Sequence, residues 1–135
     1  MKKLNLILLL SLVCTLISTA QETKAIANKL KSITVHEQKY EKGVAGKVLM
    51  ESVIRYDPAG NIVEEIEYKQ GKINKHFTYK YDVAGNKIQE TELDPSGKKI
   101  RISVYTYNKN LRMEKVVYDG NNQVLSRKTY KYETY

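Results

Sequence analysis

Cysteine is nearly absent from this sequence: the 135 residues include one cysteine (Cys14), no tryptophan, two prolines, one phenylalanine and two histidines. A lone thiol excludes an intramolecular disulfide framework and any cysteine-rich metal cage. The histidines, His36 and His76, are the only side chains whose ordinary pKa suits proton transfer near neutrality. They lie 40 residues apart, His76 stands on the polar side of its strand with no carboxylate marked to orient it, and both read as solvated. No Gly-x-Ser-x-Gly elbow, phosphate-binding loop or His-Glu-x-x-His occurs, which removes familiar hydrolase and nucleotide-enzyme signatures. Glu64, Glu65, Glu67, Glu90 and Glu92 are mixed with lysines and read as cross-strand ion pairs rather than as a glycosidase pair. The residues point away from an enzyme.

Long apolar runs are equally scarce. The clearest one, Leu6 to Ile17, follows Lys2 and Lys3 and precedes Ser18-Thr19-Ala20. This is the order of a secretory leader cut near Ala20-Gln21, and the run is shorter than the roughly 20 residues of a membrane-spanning helix. Val13 before Cys14, inside the run, argues against a lipid-attachment site. The expectation is an exported chain, periplasmic or extracellular, with no membrane span. Its formal charge of +8 falls to +6 when Lys2 and Lys3 leave with the leader. The bases are scattered singly, as at Lys69, Lys72, Lys75 and Lys80, which reads as a solvated face and not as a nucleic-acid surface. Asp57, Asp82, Asp94 and Asp119 stand one to a turn, too few oxygens for the six to eight of a calcium site. No metal and no cofactor is expected.

Tyrosine, by contrast, is abundant, with eleven copies. Tyr79-Lys80-Tyr81-Asp82-Val83-Ala84-Gly85-Asn86 is preceded by Ile54-Arg55-Tyr56-Asp57-Pro58-Ala59-Gly60-Asn61 and followed by Tyr105-Thr106-Tyr107-Asn108-Lys109-Asn110 and Tyr130-Lys131-Tyr132-Glu133. Tyr56, Tyr81, Tyr107 and Tyr132 recur at intervals of 25, 26 and 25 residues. A fixed period of this length marks a repeated supersecondary unit.

Each unit reads as paired strands. Asp57-Pro58-Ala59-Gly60, Asp82-Val83-Ala84-Gly85 and Asp94-Pro95-Ser96-Gly97 share one plan, an Asp that bonds back to the backbone and a Gly in the left-handed position. Gln70-Gly71, Lys109-Asn110 and Asp119-Gly120-Asn121-Asn122 supply the other turns, and Gly43-Val44-Ala45-Gly46 divides the first two strands. The spacing predicts strands at 33–41, 47–56, 61–69, 72–81, 87–93, 98–107, 111–118 and 123–132, with every glycine and proline in a gap. Alternation puts Phe77, Tyr79 and Tyr81 on one side of their strand, and Ile100, Ile102 and Val104 on one side of theirs, which suggests one apolar and one charged sheet face. Glu64 breaks that pattern, and Ile88 and Leu93 fall on opposite sides. Residues 22–31 carry Ile26 and Leu30 four apart, the mark of a short helix or docked arm. The fold expected is all-β: an antiparallel meander of about eight strands over 33–135, a curled open sheet built from repeats of ~25 residues, preceded by an arm or short helix at 21–32 and a leader at 1–20.

The run Tyr-x-Tyr-Asp-x-x-Gly-Asn resembles the YD repeat of RHS-type proteins and small secreted YD-like proteins. Residues 79–86 match it fully, 54–61 all but Ile54, 105–110 poorly and 130–133 at the tyrosines alone. The resemblance implies strand-turn-strand repeats; in large RHS proteins these form a shell around a toxin cargo, which the few repeats here cannot enclose. A translational repeat aligns Tyr56, Tyr81, Tyr107 and Tyr132 in one row, with Tyr79, Tyr105 and Tyr130 a step along. Such a row is either cross-strand packing or a platform for a glycan or protein. The expected function is an exported, non-catalytic binding module contacting an unidentified protein or glycan through Tyr56, Tyr79, Tyr81, Tyr105, Tyr107 and Tyr132. The alternative is a structural envelope protein that self-associates through sheet edges.

Overall fold

A computed structural model describes residues 29–135. The expected leader, its cleavage point and most of the 21–32 segment lie outside the described residues. Within them every regular element is a strand: β1 (Ser32–Glu41), β2 (Val44–Tyr56), β3 (Ile62–Lys69), β4 (Lys72–Tyr81), β5 (Lys87–Leu93), β6 (Lys99–Asn108), β7 (Leu111–Asp119) and β8 (Val124–Thr129). They form one antiparallel sheet in sequence order, β1 to β8, open at both edges. Among the described residues no helix is long and apolar enough to cross a membrane.

Two turn chemistries join the strands. At Asp57, Asp82 and Asp94 the carbonyl accepts from the amide of Gly60, Gly85 and Gly97 at 2.9–3.0 Å, and those glycines stand at φ 85, 83 and 86. The Asp82 carboxylate also accepts from the amides of Ala84 (2.9 Å) and Asn86 (2.8 Å) and from the Asn86 side chain (3.0 Å). Asp119 belongs to the same class: its carboxylate accepts from Asn121 and Gln123 amides. There the left-handed residue is Asn122 (φ 65) and not a glycine. Gly120 is required for another reason, since a Cβ on it would lie 2.3 Å from the carbonyl oxygen of Lys99. The other three connections are two-residue loops, Lys42-Gly43, Gln70-Gly71 and Lys109-Asn110, whose first residues take φ 49, 54 and 54.

Two boundaries differ from the sequence expectation by more than one residue. The first hairpin closes over Lys42-Gly43, so β2 begins at Val44 and Gly46 lies inside a strand. A bulge between Gln38 and Tyr40 accounts for it. The backbone of Lys39 comes within 2.9 Å of where a Gly46 side chain would start, and Gln38 donates to the Gly46 carbonyl at 3.0 Å. At the other end β8 stops at Thr129, so Tyr130 and Tyr132 lie beyond it.

The single apolar face is also corrected. Residues directly opposite across a ladder share a face, and the register sets Ile66 against His76, Phe77 against Glu65 and Glu92, and Ile102 against Thr91. The apolar positions of β3 and β6 therefore share one face with polar positions of β4 and β5, while β4 turns its aromatics to the other. Ile88 is the extra residue of a bulge, because Lys80 lies opposite Gln89 and Tyr81 opposite Lys87; a bulge shifts the alternation, which explains the irregular pattern of β5. Burial is spread thinly over both faces: the buried apolar side chains are Tyr56, Ile62, Ile66, Tyr105 and Val116, joined by Thr91 and Ser103. Leu30, just before β1, and Ile33 within it pack against Tyr56 and Ile62.

Candidate binding face

The closing tyrosines are tied into the backbone. Tyr81 donates its hydroxyl to the Ile62 carbonyl (2.8 Å), Tyr107 to that of Lys87 (2.9 Å) and Tyr132 to that of Arg112 (2.7 Å). Each acceptor is the first or second residue of the preceding odd strand. Register places it opposite the tyrosine of the repeat before: Tyr56 with Ile62, Tyr81 with Lys87, Tyr107 with Arg112. Tyr56 itself is buried. Tyr81, Tyr107 and Tyr132 thus hold strand ends through their hydroxyls, and Tyr56 does so by packing.

The residues one step along have a different setting. Lys87 lies over the Tyr79 ring at 4.7 Å and within 5.9 Å of Tyr105. Arg112 lies over Tyr105 at 4.6 Å and within 6.0 Å of Tyr130. The order Tyr79, Lys87, Tyr105, Arg112, Tyr130 alternates ring and cation across five successive segments of one face, a row held by the attraction of cations to ring faces. Tyr105 is its buried centre, so the row is partly packing. Tyr79 also donates to Glu65. Burial, reinforced by that carboxylate, pushes its hydroxyl far above the usual phenol range.

Beside this row the face is hollowed. One shallow groove of about 650 Å3 runs from β4 to β8 and includes Phe77, Glu90, Glu92, Arg101, Ser103 and Lys115. A second, of about 630 Å3, runs from β2 to β4 and includes Ile54, Glu65, Glu67, Lys75, Phe77 and Tyr79. Phe77 and Lys75 belong to both, so the grooves form one trough crossing the strands over Phe77. The Phe77 and Tyr79 rings, two residues apart on one strand face, stand 6.4 Å apart and nearly parallel at 14°. Buried Ser103 forms part of the floor. Ion pairs of Lys75 with Glu67 (2.8 Å) and Arg101 with Glu92 (3.4 Å) line the walls.

The opposite face holds a cluster that alternation alone did not predict. His76 Nε2 donates to Glu64 Oε1 at 2.7 Å, and Arg55 bonds the other oxygen of the same carboxylate. His76 is thus partnered and mostly enclosed, contrary to its expected solvation. The register explains it, since Ile66 stands opposite His76 and Glu64 is two residues along the same side. Burial pushes the Glu64 carboxyl up, but the hydrogen bonds from His76 and Arg55 outweigh it and hold the group below its ordinary value. Among the described residues no three His, Cys, Asp or Glu side chains converge as a metal site would require.

Of the tyrosines singled out from sequence, Tyr79 and Tyr105 join the ring-and-cation row, Tyr107 touches its margin through Arg112 at 5.9 Å, and Tyr56, Tyr81 and Tyr132 hold strand ends. Phe77, the ridge of the trough, was missed. Its signal was its rarity, the single phenylalanine placed two residues before a repeat tyrosine on the same side of a strand. No family model matches this chain, and no curated protein matches it.

Proposed function

We propose that the protein is an exported, non-catalytic binding module whose trough takes an extended glycan across the strands. The observation that carries the reading is Phe77, shared by both grooves and parallel to Tyr79. A half-buried aromatic pair beside carboxylate and guanidinium groups suits a sugar, which offers C–H surface on one side and hydroxyls around its rim. Glu90, Glu92, Arg101 and Ser103 supply acceptors and donors of both kinds along the trough. The mixed charge of its walls favours a neutral polymer over a strongly anionic one. Glu64 and His76 support the non-catalytic reading: with Arg55 on the same carboxylate and its proton affinity lowered, Glu64 is an ion-pair partner and a poor general acid.

Retention on immobilised polysaccharides, followed by calorimetric titration with the retained glycan, tests the proposal. Phe77→Ala removes the ridge and should abolish retention while the strand signal in circular dichroism persists. Retention by no polysaccharide, or unchanged affinity in Phe77→Ala, would refute it, and capture of a protein instead would assign the trough to a peptide.

A further inference from the structure

The first hairpin outruns the rest of the sheet. Strand β3 meets β2 from Ser52 to Tyr56, whereas β1 meets it from Arg55 out to Val44. Residues 36–41 and 44–50 thus form a two-stranded ribbon, an arrangement only marginally stable in water by itself. Its apolar side chains are open to solvent: Tyr40 is 64% exposed and Val48 58%. Among the described residues β1 pairs with β2 alone. The Lys31 carbonyl accepts from the Tyr56 amide at 3.0 Å, and the Lys39 carbonyl lies against Gly46, so odd residues of β1 turn their backbone groups to β2. Both register shifts of this hairpin put the extra residue on β2, which leaves β1 regular. Thr34, His36, Gln38 and Tyr40 therefore turn their backbone donors and acceptors outward.

We propose that the outer edge of β1 pairs with the same edge of a second copy, antiparallel, about a two-fold axis at Gln38. Gln38 then faces Gln38 of the second copy as a hydrogen-bonded pair. On one face Glu37 of each copy meets Lys39 of the other, and on the opposite face His36 meets Tyr40.

Charge selects this register. Glu37, Lys39 and Glu41 alternate along one face of β1, as the 3.5 Å approach of Lys39 to Glu37 within the chain shows. An axis at Glu37 would set that residue against its own copy, and an axis at Lys39 would set Glu37 against Glu41. Like charges directly opposite are destabilising. An axis at His36 would leave Glu37 opposite Val35. An axis at Tyr40 would pair Lys39 with Glu41, but β1 ends at Glu41, so the strands would overlap over 39–41 alone. The Gln38 axis forms two reciprocal ion pairs and pairs the longer stretch 35–41. It also places Tyr40, whose hydroxyl donates to Gln38 at 3.3 Å, against a second strand, which covers exposed apolar surface. Two ribbons become one four-stranded sheet. The contact is isologous, so association closes at a dimer.

Sedimentation velocity of the purified protein over a concentration series tests it. Wild type should shift from monomer to dimer as concentration rises, and to nothing larger. Glu37→Lys, which sets lysine against lysine, should abolish the shift, and Lys39→Glu should do the same. An equal mixture of the two variants should recover dimer, because each supplies the charges that the other lacks. The double variant Glu37→Lys with Lys39→Glu should dimerise as wild type does. A wild type that stays monomeric at every concentration, or that forms species larger than a dimer, would overturn the proposal. So would a Glu37→Lys protein that associates as wild type does, or a double variant that stays monomeric. Both side chains are exposed, Glu37 at 49% and Lys39 at 77%, and the double variant keeps their ion pair, so it decides the matter even if a single variant fails to fold.

Discussion

The hydroxyl of Tyr107 donates to the carbonyl of Lys87 at 2.9 Å, and Lys87 is itself the residue that register places opposite Tyr81. The same relation links Tyr81 through Ile62 to Tyr56, and Tyr132 through Arg112 to Tyr107. Each repeat thus ends by bonding to the backbone that the previous tyrosine aligned. Two strands and two turns separate successive tyrosines, which is the physical origin of the 25-residue interval. A thin sheet with few buried side chains has little core to fix its register, and these long-range bonds do so at one end of the strands.

Gly120→Ala should destabilise by more than about 1 kcal/mol, since a methyl group there collides with backbone and cannot rotate away. The collision is with the Lys99 carbonyl at 2.3 Å. Asn122→Gly, at φ 65, should be nearly neutral by comparison. Urea unfolding of both variants checks the contrast.

Acid should loosen the hairpin ends first. Hydrogen bonds from the Asn86 side chain and backbone hold the Asp82 carboxyl below its ordinary value of 3.8, and those from Ser96 and Lys98 do the same for Asp94. A carboxyl with a depressed folded pKa stabilises the fold above its unfolded pKa and loses that contribution as pH falls through the folded value. Stability should therefore be constant from neutrality to about pH 5 with respect to these groups and decline below about pH 4. In Asp82→Asn and Asp94→Asn variants part of that decline should disappear, as thermal melts across the pH series would show.

Two glutamates on β3 should respond differently to the same change. Glu67 forms an exposed pair with Lys75, and exposed pairs contribute about 0–1 kcal/mol. Glu64 is more enclosed and serves both Arg55 and His76, one on each oxygen, so an amide there keeps one acceptor and turns an NH2 toward the other donor. Glu64→Gln should lower the melting temperature clearly and Glu67→Gln barely. Equal effects would show that the Arg55–Glu64–His76 cluster is no more than surface charge.

Much of this architecture was legible because its turns are local chemistry. Asp57, Asp82 and Asp94 with Gly60, Gly85 and Gly97 announce both the bend and the left-handed residue within four positions. Gly46 misled because glycine serves bulges as well as turns, and the closeness of Lys39 that requires it arises between strands. The face assignment failed for a related reason: each bulge shifts alternation by one residue, and no local signal separates the bulge at Ile88 from a regular strand. Glu64 did leave a trace, as the residue that broke the apolar side of β3, and a pattern break of that kind marks a partner elsewhere. The tyrosine interval was plain in the sequence, but its cause was not, since each hydroxyl reaches a carbonyl 19 or 20 residues earlier.

The central claim is that the repeated tyrosines fix strand register through their hydroxyls, and thermal unfolding of Tyr→Phe variants tests it most directly. Removing one such hydrogen bond should cost about 1 kcal/mol and lower the melting temperature by about 4 °C or more. Tyr107→Phe should show this loss with an unchanged strand spectrum, and Tyr132→Phe a smaller one because Tyr132 is 47% exposed. Melting of both variants at the wild-type temperature would show that water serves the Lys87 and Arg112 carbonyls equally well, and would contradict the account.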